Sequence, residues 1–91
     1  LVASREVEDA LYTHPGVAEV AVVGVPDEKW VEKIVAFVVR RPEATDLDVE
    51  TLTAHARTQV AAFKVPKRIE FLDDLPRNAS GKILKRELRD A

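Results

Sequence analysis

Apolar residues mark out the chain's elements in order. Val7, Ala10 and Leu11 recur at helical spacing behind Ser4, a suitable N-cap, with Glu6 in the first turn where the helix dipole favours an acid. Arg5 and Asp9 stand four apart and predict an ion pair. His14-Pro15-Gly16 ends this helix, because proline cannot continue it and glycine admits the turn. From Val17 to Val25 the pattern changes. Val20-Ala21-Val22-Val23 is apolar on both faces of the predicted strand. Pro26-Asp27-Glu28 predicts a break, and Ile34 to Val39 gives a second continuous apolar strand. Two such strands are expected to sit centrally in a sheet, covered by helices on at least one side. Trp30 falls in the turn between them, placed for packing or for contact with another domain.

After a polar loop from Arg41 to Asp46, Asp48 opens a longer helix. Its apolar stripe is Val49, Leu52, Ala56, Val60 and Phe63, and Pro66 predicts its end. Ile69-Glu70-Phe71-Leu72 partly alternates and reads as a third strand nearer an edge. Asp73 to Pro76 is a turn, a polar loop follows, and Leu84 to Asp90 has helical composition but needs docking to be stable. This order predicts one α+β domain over residues 1–91, with a small central sheet of about three strands flanked by helices.

Composition changes this picture little. The chain is an ordinary globular mixture, 46% hydrophobic and 33% charged, and its 91 residues suffice for one modest core. With no cysteine there is no disulfide framework or thiolate metal site, which favours a reducing, cytoplasmic setting. His14 and His55 lack ligand-like spacing and are expected to be structural or solvent-facing; no metal site is predicted. No apolar run reaches membrane-spanning length, and the start lacks the plan of a signal peptide. Leu1 in first place suggests a piece of something longer. Charge is uneven: residues 1–50 hold five Lys/Arg against eleven Asp/Glu, whereas residues 51–91 hold nine against five. The basic excess is too thin in stripes and aromatics for a nucleic-acid surface.

It does fall in the half that contains Leu75-Pro76-Arg77-Asn78-Ala79-Ser80-Gly81-Lys82. Asn78 to Gly81 favours a turn, with Gly81 free to take positive φ, and Lys82 leaves that turn toward solvent. An ammonium on a long stem suits a phosphate without demanding bidentate geometry. The Gly-Lys step alone equally fits an ordinary surface lysine. It is not a P-loop, which needs more glycine, a following Ser/Thr and a preceding strand. Asn78-Ala79-Ser80 also fits the glycosylation pattern, which has meaning only in a secreted protein.

Several segments together resemble the C-terminal domain of the adenylate-forming enzymes, a superfamily of acyl- and aryl-CoA synthetases, luciferases and peptide-synthetase adenylation domains. The segments are REVEDAL, HPGVAEVAVVGVPDEKW, IVAFVV and FKVPKRIEFLDDLPRNASGKILKREL, in the family's order and over about nine-tenths of the chain. LPRNASGK is the most specific of them. Ile83-Leu84-Lys85-Arg86 looks more like the CoA ligases than the peptide synthetases. The chain departs from the family at Leu1 to Ser4, where many relatives read Asn-Val-Tyr-Pro, and at Val31, where many have glycine, so the local turn is expected to differ.

The resemblance implies a ligase that activates a carboxylic acid with Mg-ATP to an acyl-adenylate and transfers the acyl group to CoA. Lys82 matches the family's adenylation lysine, with Ser80 and Gly81 positioning its loop. Arg57 on the second long helix matches an arginine that some CoA ligases use for the nucleotide 3′-phosphate. The implied partners are the enzyme's own N-terminal domain, which holds the ATP loop, the adenine and acyl pockets and the Mg2+ ligand, and a lysine acetyltransferase acting on Lys82. The hinge about which the small domain rotates would lie before residue 1. A peptide-synthetase or luciferase-type relative, or a non-catalytic anion- or partner-binding module, stands as the alternative.

Overall fold

The computed structural model describes residues 4–27 and 31–90. Its elements are α1 (Ser4–Tyr12), β1 (Val17–Asp27), β2 (Val31–Arg40), α2 (Val49–Arg57), a 3-10 turn (Ala62–Lys64), β3 (Arg68–Phe71) and α3 (Lys85–Arg89). This is the expected α+β arrangement. The sheet runs β1-β2-β3. β1 and β2 are antiparallel, pairing Val20 with Val38 and Val22 with Ala36. β3 joins β2 in parallel, pairing Ile69 with Ala36, after a crossover through α2.

The continuous apolar runs of β1 and β2 arise because both faces of the sheet are covered. Alternate residues serve two cores. On one face Val20, Val22, Ala36 and Val38 meet Val7 and Leu11 of α1 and Leu52 and Ala56 of α2. On the other, Ala21, Val23, Val35 and Phe37 meet Leu75 and Leu88, which bring the 75–84 segment and α3 against the sheet.

Five expectations are corrected. β1 does not break at Pro26: it continues through Asp27, with Pro26 opposite Glu32. Only β2 is central: β1, expected there too, is an edge strand whose apolar run is explained by cover on both faces. At that edge proline can remove an N–H without costing a ladder bond. α2 ends at Arg57 rather than near Pro66, its cap residue Thr58 turning its hydroxyl onto the carbonyl of His55 at 2.7 Å. Phe63 is therefore on no helical stripe and is 75% exposed. Arg5 does not pair with Asp9; α1 makes its ion pairs from Glu6 to Lys64 and from Glu8 to Lys85. Gly16 is required not for a left-handed φ but for closeness, since a Cβ there would meet Ala44 Cβ at 3.1 Å and Leu47 Cδ2 at 3.2 Å. The readings of Leu1 to Ala3, of Trp30 and of the Val31 side chain lie outside the described residues.

Candidate functional site

The 75–84 segment is a hairpin pinned to the sheet at its base. Arg77 and Ile83 form an antiparallel bridge. Leu84 N–H donates to the Pro76 carbonyl at 2.8 Å, and Asn78 N–H to the Lys82 carbonyl at 3.0 Å. Gly81 N–H closes the turn onto the Asn78 carbonyl at 3.0 Å. Gly81 has φ +84°, the left-handed value that a three-residue hairpin loop needs at its last position. Inside the turn, Asn78 Oδ1 accepts the N–H of Ser80 at 2.9 Å and that of Lys82 at 3.0 Å.

Both feet of the hairpin are braced. Arg77 pairs with Glu19 on β1 and with Asp74 at 2.9 Å. Lys85, just beyond the loop, reaches Glu8 on α1 at 2.8 Å. Leu75 and Leu88 are buried, and Ile83 packs against their core. The cations on either side of Lys82 are thus neutralised within the domain, whereas Lys82 itself is exposed and has no ion-pair partner among the described residues. The outcome is one uncommitted ammonium on an ordered loop. A lysine packed inside or held by a carboxylate could not be offered to an incoming phosphate; this one can.

Arg57 lies elsewhere. It closes α2 and lines an open groove of about 550 Å3 with Thr53, Ala62, Val65, Pro66 and Lys67. Val65 belongs to the α1–α2 core, whereas the Lys82 hairpin packs into the opposite core. The two predicted site residues therefore sit on opposite faces of the sheet. Ser80 is exposed, and its backbone N–H rather than its side chain is what ties it into the loop. Sequence reasoning saw Asn78 only as a turn former; it missed Arg77, Glu8 and Glu19 because their partners are distant in the chain. The histidines do meet, edge to face at 5.1 Å, in a structural contact. Because the Thr13 hydroxyl donates to the Ala10 carbonyl at 2.6 Å, His55 Nε2 must be the donor in its 2.6 Å contact with Thr13 Oγ1.

The sequence profile of the AMP-binding enzyme C-terminal domain matches residues 6–82. The chain belongs to that family. Among curated relatives of this AMP-binding enzyme C-terminal domain, a fatty acid–[acyl-carrier-protein] ligase, ScoC of Streptomyces coeruleorubidus, is 53% identical over 93% of the chain and 16% of its own length. A long-chain-fatty-acid–CoA ligase of Escherichia coli O6:H1 is 48% identical over 94% of the chain and 15% of its own length. ATP-bound MatB from Rhodopseudomonas palustris superposes with a TM-score of 0.90 at 41% identity, over 96% of the chain and 17% of that structure. The chain thus spans about one-sixth of the length of the relatives it matches. No described helix is long and apolar enough to cross a membrane.

Proposed function

We propose that these residues form the mobile C-terminal domain of an acyl- or aryl-CoA ligase and that Lys82 serves the adenylation step. When a carboxylate attacks the α-phosphate of ATP, two anions approach and charge builds on the departing pyrophosphate. A cation reaching both groups stabilises that transition state more than the separated reactants. Lys82 needs no proton transfer for this role; charge and placement suffice. The observation that carries the reading is the unpaired ammonium at the tip of a doubly braced hairpin, in a chain of this family.

The second half-reaction calls for other surfaces. Arg57 and its groove face away from Lys82, across the sheet. One pose of the domain against a companion domain cannot readily bring both to the same substrates, which supports a rotation between adenylation and thioester formation. In the second pose Arg57 would meet a phosphate of CoA. The described residues do not fit a Mg2+ site, since no three metal-ligating side chains cluster; the ion is assigned, with the adenine and acyl pockets, to the N-terminal domain. A cytoplasmic setting suits these substrates. An exposed Lys82 is also open to an acetyltransferase, and acetylation would remove its charge. The similarity to ScoC favours a second reading in which a carrier-protein thiol replaces CoA as acceptor.

In the full-length ligase, Lys82→Ala is expected to lower pyrophosphate exchange about 10²–10³-fold while sparing thioester formation from supplied acyl-adenylate. Equal loss of both steps would refute the assignment.

A further inference from the structure

The geometry points to Asn78 as a positioning residue that holds Lys82 for adenylation. This rests on the adenylation role proposed for Lys82.

Three groups of Asn78 engage the loop at once. Its N–H donates to the carbonyl of Lys82, and its side-chain Oδ1 accepts the Lys82 N–H, so both ends of the lysine's own backbone are held by one residue. Its carbonyl accepts from Gly81 N–H, and the same Oδ1 accepts from Ser80 N–H. Residues 80, 81 and 82 are all tied to Asn78.

The need for such a grip follows from the chemistry of lysine. Its side chain turns about four flexible bonds, so nothing in the stem fixes where the ammonium goes. Only the peptide it springs from can be made rigid. Arg77 and Lys85 fix the feet of the hairpin, but their ion pairs go to Glu19, Asp74 and Glu8 rather than to residues 79–82. Gly81 is the most permissive residue of the loop, and its left-handed φ relieves no packing, since a Cβ there would meet nothing within 4 Å. Without the Oδ1 bonds the tip would rest on its two remaining backbone bonds, with the Ser80 and Lys82 N–H groups released to water. Exposed bonds of this kind add little to global stability. Their effect is on the spread of Lys82 positions, and misplacement of about 1 Å can cost about 10²-fold in rate.

The test uses the full-length ligase and reads the two half-reactions separately. Asn78→Ala is expected to slow adenylation about tenfold, a fraction of the lysine's own effect, and to leave thioester formation from supplied acyl-adenylate within about twofold. Asn78→Ser, which keeps a short oxygen acceptor able to close the same turn more weakly, should restore most of the loss. Placed in a Lys82→Ala background, Asn78→Ala should cost nothing more, because it acts through the lysine. Adenylation within twofold of native in Asn78→Ala, an equal loss in both half-reactions, or an undiminished loss in the Lys82→Ala background would each overturn the inference. If Lys82→Ala is crippled while Asn78→Ala is not, this inference alone falls. If Lys82→Ala adenylates normally, the adenylation role falls and this inference with it.

Discussion

Glu8 Oε2 stands 2.8 Å from Lys85 Nζ and also accepts the N–H of Val22 at 2.8 Å. One carboxylate oxygen thus joins α1, the outer edge of β1 and the start of α3. The helix that follows the Lys82 loop is tied to the opposite layer of the domain round the edge of the sheet. Val22 is fully buried, so its N–H has few other partners to turn to.

Glu8→Ala should therefore destabilise the domain by about 1–3 kcal/mol, the penalty for leaving a buried N–H unsatisfied together with a lost charged bond. Glu8→Gln keeps an acceptor for Val22 and loses only the ion pair, whose lysine is about one-third exposed, so it should cost clearly less. Denaturant unfolding of the two variants would order them. Equal losses would mean that the Lys85 contact dominates.

Gly81 offers a separate test of backbone against packing. With φ +84° and open space around it, Gly81→Ala should suffer only the left-handed penalty of about 1–2 kcal/mol. Gly81→Asn should be milder, since asparagine visits that region more readily, and Gly81→Val harsher. The adenylation rates of the three variants should fall in the same order if the turn sets the position of Lys82.

Leu88 docks α3 against the face that carries the hairpin. A five-residue helix has little stability of its own. Leu88→Ala is expected to cost about 2–5 kcal/mol and to raise hydrogen exchange in α3 and the hairpin before the α1–α2 layer. Uniform loss of protection across the domain would contradict separate cores on the two faces.

Asp48 sets a pH dependence. Its carboxylate accepts the Thr51 N–H at 2.8 Å at the start of α2, and this backbone bond, followed by the Thr51 side chain, holds its pKa below the ordinary value of 3.8. Protonation therefore favours the unfolded chain. The contribution of this cap is present above about pH 4 and is lost as pH falls through the lower, folded-state pKa. Asp48→Asn retains a capping oxygen but not the titration, so its stability should fall less steeply between about pH 4 and 2. Unfolding midpoints across that range would measure the difference.

These 91 residues alone are expected to give no pyrophosphate exchange, because a lysine with no triphosphate held against it has nothing to stabilise. Measurable exchange by the isolated chain would overturn the two-domain reading.

Local chemistry made much of this legible. Unbroken apolar runs announced two buried strands, though not that β1 would lie at an edge with both faces covered, and Asn78 to Gly81 announced the turn that carries Lys82. What escaped was decided by distant partners. The stripe through Val60 and Phe63 mimicked a longer helix, yet Val60 packs from an irregular turn and Phe63 faces water. Pro26 signals a break only where its missing N–H is needed, and an edge strand has no such need. Nothing in Ile69 to Leu72 could say that β3 runs parallel to β2. The contact between His14 and His55, and the braces from Glu8 and Glu19, exist only once the layers have assembled.

The border of β1 has a consequence for the rotation proposed for this domain. Val20 donates to the Tyr12 hydroxyl, Val22 donates to Glu8, and Pro26 has no donor to offer. Two of the outward-pointing backbone donors along that margin are spent on the chain's own side chains, and at Pro26 there is none. A second copy drifting past would find fewer free donors for strand exchange there, which lowers the tendency of the domain to zip into oligomers along that border.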